Sequence, residues 1–198
     1  MSDEVVQAKR ALRSALRDRR LALSAQERAA AASDITAQLD SLVAAHGAQI
    51  ISCFVSTPTE PGTHSFIAGA VRRGIRVLLP ITGADGLLDW AVADGTEDFA
   101  EGRFGLSEPR GEPLGHAAVE NVDLMIIPAA AVDTRGTRLG WGRGYFDKAI
   151  ASMSAAPPVY AVTFDSEVLD SLPRELHDQP VAGIVTPART IHLSPTRH

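Results

Sequence analysis

A chain of 198 residues is long enough to bury one substantial core, and 45% hydrophobic with 22% charged residues is ordinary for a globular protein. The formal net charge of −5 argues against a general nucleic-acid binder, whose charge balance is basic. No apolar run is long enough to span a bilayer, the start Met1-Ser2-Asp3-Glu4 lacks the basic residues of a signal peptide, and the single cysteine, Cys53, excludes an internal disulfide framework and suits a reducing cytoplasm.

In chain order, the segment from about Glu4 to Leu23 is dominated by Ala, Leu, Arg, Gln and Lys and predicts a helix, with Val5, Ala8, Leu12, Ala15 and Leu16 as its apolar stripe. Ser24 followed by Glu27 is a capping box, so a second helix begins there, runs to about Ala45 and ends at Gly47. Gln49 to Val55 is short, β-rich and apolar, the pattern of a buried strand. Cys53 falls inside it and is expected to be a small core residue rather than a nucleophile. Thr63 to Arg73 fits a helix, Arg76 to Pro80 a second buried strand, Gly83-Ala84-Asp85-Gly86 a turn, and Leu87 to Ala93 the returning strand. Asp94 to Gly115, rich in Gly, Pro and charge, is expected to be irregular. Val122 to Pro128 is a strong strand, a helix starts near Tyr145 and runs to about Ser152, and Pro157-Pro158 breaks the chain. Val159 to Phe164 and about Gly183 to Thr186 complete the strands.

Strands buried on both faces and alternating with helices predict an α/β fold: a three-layer α/β/α sandwich with a mostly parallel central sheet. The expectation is one domain over residues 1–198, without repeats or linkers. In such sheets ligands bind at the carboxyl ends of the strands.

The run from Asp133 to Asp147 sits at such an end. Gly140, Gly142 and Gly144 alternate, Arg138, Arg143 and Lys148 surround them, and Asp147 closes the run. Glycines let backbone N–H groups approach a ligand and form an anion-binding nest. Guanidinium groups neutralise phosphate oxygens in a fixed fork, and an aspartate beside a polyphosphate is a natural Mg²⁺ ligand. These residues therefore point to a nucleoside triphosphate, although the run is neither a Walker A loop nor a dinucleotide fingerprint. Lys9 and Arg13 share a helix face that Arg17 and Arg20 extend; spacing alone fits a solvated charged edge as well as a binding site. The six histidines show no ligand spacing, so no zinc site is expected, and there is no nucleophile elbow.

Arg138-Leu139-Gly140-Trp141-Gly142-Arg143-Gly144-Tyr145-Phe146-Asp147 resembles the signature block of the 5-formyltetrahydrofolate cyclo-ligase (5,10-methenyltetrahydrofolate synthetase) family. Lys9 and Arg13 match that family's opening Lys-x-x-x-Arg pair, Glu60 and Thr63 its Glu-x-x-Thr, and Phe104 to Pro109 its Phe-Gly-Ile-x-Glu-Pro segment. The order and spacing agree from about Lys9 to Thr186.

The resemblance implies an ATP-dependent C–N ligase that cyclises 5-formyltetrahydrofolate to 5,10-methenyltetrahydrofolate and releases ADP and phosphate. It implies an ATP site from Lys9, Arg13, Arg138, Leu139, Gly140, Trp141, Gly142, Arg143, Gly144, Tyr145 and Phe146. Arg138, Arg143 and Tyr145 would be catalytic. Val55, Glu60, Trp141 and Tyr145 would hold the folate, with Glu60 on the pterin, and Trp90 would help wall the pocket. Asp147 would hold Mg²⁺, and Asp178 matches a second metal-binding acid of some members. The family's second tyrosine is Phe146 here, which weakens any catalytic role at that position.

The partners implied are small molecules, with no nucleic acid and no membrane, and a cytoplasmic monomer is expected. The alternative is a non-catalytic relative that holds folate or nucleotide without turnover. An RNA-binding relative is disfavoured by the acidic balance.

Overall fold

The computed structural model describes residues 3–96, 99–173 and 180–193. It opens with two long helices, α1 (Asp3–Ala22) and α2 (Ala25–His46). Ser24 and Glu27 form the expected capping box at the start of α2, and Gly47 closes it at φ 59°. Next come β1 (Ile50–Cys53), α3 (His64–Arg72), β2 (Arg76–Thr82), β3 (Leu88–Val92), β4 (Phe99–Glu101) and β5 (Ser107–Pro109). The second half holds β6 (Leu124–Pro128), β7 (Ala131–Asp133), β8 (Arg138–Leu139), α4 (Tyr145–Ser152), β9 (Val159–Val162), β10 (Val168–Leu169), β11 (Gly183–Val185) and β12 (Thr190–His192).

Seven strands form the central sheet in the order β12-β11-β9-β6-β1-β2-β3. The five inner strands are parallel, and β3 and β12 are antiparallel edges. One face buries Ile35, Leu39 and Val43 of α2 and Phe66 and Ile67 of α3 against the sheet. The other buries Ala149 and Ile150 of α4 with Leu78, Trp90, Met125 and Ile127. This is the three-layer α/β/α sandwich with a mostly parallel sheet. Cys53 is buried in the first of these cores. No described helix is long and apolar enough to cross a membrane.

Helix α1 departs from expectation. Ala8 and Ala15 are exposed, and Leu16 packs instead on a small satellite core with Ala130, Ala131, Leu139 and Leu172. The helix thus lies over the Gly-rich segment rather than on the sheet. Arg20, placed by sequence on the basic edge of this helix, is 1% exposed.

The segment Asp94 to Gly115 is not wholly irregular: β4 and β5 pair as an antiparallel hairpin within it. A three-stranded ribbon, β10-β7-β8, and the edge strand β12 were also not foreseen. These strands are two or three residues long, too short for a hydrophobic period to register in sequence.

Candidate active site

Strand β1 pairs with β2 on one side and β6 on the other. The carboxyl ends of these three strands open into one cleft of about 380 Å³, lined by Phe54 and Val55 after β1, Pro80 and Thr82 of β2, and Pro128 of β6. This is the place where open α/β sheets bind ligands.

One wall is the loop from Phe54 to Thr63. Thr63 is fully buried and staples the loop: its hydroxyl donates to the Phe54 carbonyl (2.8 Å) and accepts from the Ser56 N–H (3.1 Å). The Ser56 hydroxyl in turn accepts from the Thr63 N–H (3.0 Å). The threonine of the Glu-x-x-Thr pattern is therefore a brace, and the glutamate is the group presented to the cleft. The Thr57 N–H and hydroxyl both donate to Glu60 Oε2 (2.9 and 3.0 Å). Two donors of its own loop thus hold Oε2 and fix the carboxylate at the cleft wall. Burial pushes the Glu60 carboxyl above its usual range. The Thr57 hydrogen bonds, the charge of Arg20 and the nearby Trp141 indole oppose that push without cancelling it.

The facing wall is the Gly-rich loop and the start of α4. Gly142 and Gly144 have φ of 95° and 69°, a left-handed backbone that favours glycine. Gly144 caps α4 without any side-chain hydrogen bond, which leaves the N–H groups of the first turn directed to this end of the helix. Such a terminus favours anions. The Arg13 Nε donates to the Gly140 carbonyl (2.7 Å), and a Cβ on Gly142 would lie 3.6 Å from the Arg13 guanidinium, so Arg13 braces the loop from behind. Arg138, a buried residue of β8, forms an ion pair with the half-exposed Asp147 of α4.

The cleft brings together Val55, Glu60, Arg138, Gly140, Trp141, Arg143, Gly144, Tyr145, Phe146 and Asp147. Leu139 is buried beneath the loop, and Lys9, Arg13 and Gly142 do not line the cleft itself. Lys9 stands one helical turn before Arg13 on α1. Phe146 packs against both main cores, so its ring has an apolar role that needs no hydroxyl. Trp90 does not wall the pocket: it is fully buried in the core on the α4 face of the sheet. Asp178 lies outside the described residues.

Sequence reasoning missed Glu108, whose Oε1 accepts from the Thr82 N–H (3.0 Å) and hydroxyl at the cleft wall, and the pair Arg17 and Leu21 at the α1 rim. The Phe-Gly-Leu-Ser-Glu-Pro similarity was the signal for Glu108.

No three His, Cys, Asp or Glu side chains cluster as metal ligands among the described residues. Asp147 alone, 54% exposed beside the loop, suits a hard cation that keeps waters and takes most of its remaining ligands from phosphate. The donor set thus fits Mg²⁺ arriving with a nucleotide.

The profile of the 5-formyltetrahydrofolate cyclo-ligase family matches residues 5–187. The chain belongs to this family. It is 35% identical over 147 residues to a 5-formyltetrahydrofolate cyclo-ligase of Mycolicibacterium smegmatis, covering 71% of this chain and 75% of that one. It is 26% identical over 188 residues to the mouse 5-formyltetrahydrofolate cyclo-ligase, covering 90% and 93%. Its fold matches the solved 5,10-methenyltetrahydrofolate synthetase of Aquifex aeolicus with a TM-score of 0.80 at 24% identity, over 96% of this chain and 95% of that one.

Proposed function

We propose that the chain catalyses the ATP-dependent cyclisation of 5-formyltetrahydrofolate to 5,10-methenyltetrahydrofolate, releasing ADP and phosphate. The observation that carries this reading is the meeting, in one cleft, of a glycine-rich loop with Arg138 and Arg143 and a facing carboxylate, Glu60.

The formyl oxygen of an amide is a poor leaving group, which is why the reaction needs ATP. In the first stage that oxygen attacks the γ-phosphorus and the bond to ADP breaks. In the second, N10 attacks the activated formyl carbon and loses its proton, and phosphate departs as the second C–N bond of the ring is completed. The protein supplies position and charge rather than covalent chemistry.

Arg138 and Arg143 neutralise the transferring phosphoryl group, and the N–H groups of the loop and of the start of α4 cradle the phosphates. Lys9 and Arg13 add positive charge on α1 beside the phosphate loop, Arg13 holding it at Gly140. Tyr145 and Trp141 stand between nucleotide and folate and exclude water. Glu60 takes a pterin N–H, and Val55 offers an apolar contact to the ring. Asp147 would hold Mg²⁺, which supplies charge neutralisation for the polyphosphate. Both ligands are served by one domain, acting as a cytoplasmic monomer; the buried, unpaired Cys53 suits a reducing compartment.

The two-stage reading is tested with substrate carrying ¹⁸O in the formyl group. Transfer of the label to the released phosphate is the expected result. Unlabelled phosphate would rule out attack by the formyl oxygen.

A further inference from the structure

Arg20 lies outside every role assigned above, yet it is among the most buried side chains of the chain, at 1% exposed. A buried guanidinium is tolerated only when its charge and donors are met. Its Nε and one terminal nitrogen form a bidentate pair with Glu167 (2.7 Å each), and the same nitrogen donates to the Ala129 carbonyl (2.8 Å). Glu167 is pinned in turn, accepting from the Thr163 hydroxyl (2.5 Å) and the Phe164 N–H (2.9 Å) on Oε2. Three separate segments, α1, the end of β6 and the turn after β9, are thus tied at one point directly behind the cleft.

The face of the guanidinium is used as well. Arg20 Cζ lies 4.9 Å from the Trp141 ring centroid and 5.3 Å from that of Phe164. Trp141 is therefore seated on a plane that its own loop does not supply. Two buried donors in this cluster make no well-formed hydrogen bond: the second terminal nitrogen of Arg20 and the indole N–H of Trp141, which lies beside Glu60. The charge of Arg20 and the Trp141 indole N–H both favour the ionised form of Glu60, the carboxylate of the facing wall, against the push of burial. A buried donor without a well-formed bond is costly, and a structural ion pair alone gives no reason to leave two of them beside a ligand cleft.

We infer that Arg20 is a positioning residue for the folate half of the site: clamped by Glu167, it seats Trp141 and, together with the Trp141 indole N–H, steadies the Glu60 carboxylate that receives the substrate. The inference rests on the folate role proposed for Glu60. It gives α1 a part in the folate half of the site beyond Arg17 and Leu21 at the rim.

Arg20→Met alone would leave Glu167 buried without a counter-charge and would unfold the region whatever Arg20 does. The test is therefore the double variant Arg20→Met with Glu167→Gln. It balances charge and keeps an oxygen for Thr163 and Phe164. Arg20→Lys serves as a second variant that retains the charge but loses the planar face.

Dissociation constants for 5-formyltetrahydrofolate and for ATP are measured separately by calorimetry, so the answer does not depend on turnover. Both variants are expected to lose folate affinity by about tenfold, of the order of a partly desolvated cation–π contact in the double variant and of the lost bidentate clamp in Arg20→Lys, with a several-fold smaller loss of ATP affinity. A folded double variant with wild-type folate affinity would overturn the inference, as would equal losses for both ligands, which a merely structural role predicts. If the double variant does not fold, Arg20→Lys decides on the same two constants. Wild-type protein that binds folate and ATP but forms no product speaks against the proposed reaction and leaves the clamp standing. Wild-type protein that binds no folate removes both.

Discussion

Arg138 and Asp147 are joined as an ion pair across the mouth of the Gly-rich loop, the arginine buried in β8 and the aspartate half in solvent on the first turn of α4. The two groups assigned to the polyphosphate thus satisfy each other before a nucleotide arrives. In the proposed site, ATP with Mg²⁺ would exchange this pair for one arginine–phosphate and one aspartate–cation contact. No charge is stranded at either stage.

Asp147→Asn keeps the shape and removes the charge. Asp147 is half exposed but Arg138 is buried, so the variant loses a buried guanidinium's counter-charge and should melt below wild type while keeping a native circular dichroism spectrum. The Mg²⁺ concentration for half-maximal rate should rise by about tenfold or more, as a hard cation loses its charged ligand. A Mg²⁺ titration of initial rates checks this; an unchanged midpoint would remove Asp147 from the metal role.

Arg138→Ala should lower turnover by about two to three orders of magnitude, comparable to losing one preorganised donor to a developing charge. Stopped-flow rates on protein with native circular dichroism are the measurement. A folded variant with near-normal turnover would sink the phosphate role.

Glu60 gives a pH prediction. Burial raises its folded-state pKa above the ordinary 4.5. As pH rises the unfolded chain releases this proton first and the folded chain later. Stability attributable to Glu60 is therefore intact in acid, falls as pH rises through the folded pKa, and then levels off. Glu60→Gln lacks that slope, so the melting temperatures of the two proteins should diverge towards acid, with wild type gaining. Glu60→Gln should also raise the KM for folate more than that for ATP. Parallel melting curves, or equal effects on both KM values, would contradict the assignment.

Gly142→Ala tests the loop. The residue sits at φ 95°, and an added Cβ lies 3.6 Å from the Arg13 guanidinium, an ordinary contact. Strain rather than collision is expected, of about 1–2 kcal/mol for a left-handed non-glycine residue. The loop relieves it by shifting, so the KM for ATP should rise while the KM for folate moves little. Titration of each substrate in turn separates the two.

Much of this was legible in sequence because it was local. The Ser24–Glu27 box, the glycine at position 47 and the apolar runs of β1 and β6 each declare themselves within a few residues. The Gly-rich loop did so by its alternating glycines and flanking cations. What escaped depends on distance. Arg20 looks like one more solvated cation on α1, because its partner Glu167 is 147 residues away. Trp90 looked like a pocket wall because an aromatic on a β3 pattern can face either side of a sheet; the register with β2 turns it into the α4-side core. The ribbon β10-β7-β8 pairs strands of two or three residues that only the tertiary fold brings together. Helix α1 carries a weak apolar stripe because much of what it covers is polar: a guanidinium–carboxylate pair and the backbone of the loop.

The most direct test of the account is near-ultraviolet absorbance of the purified protein with 5-formyltetrahydrofolate and Mg²⁺, with and without ATP. Growth of the methenyl chromophore only when ATP is present is the predicted result. A flat trace with ATP, in protein that binds both ligands by calorimetry, would contradict it and leave a folate-binding relative that does not turn over.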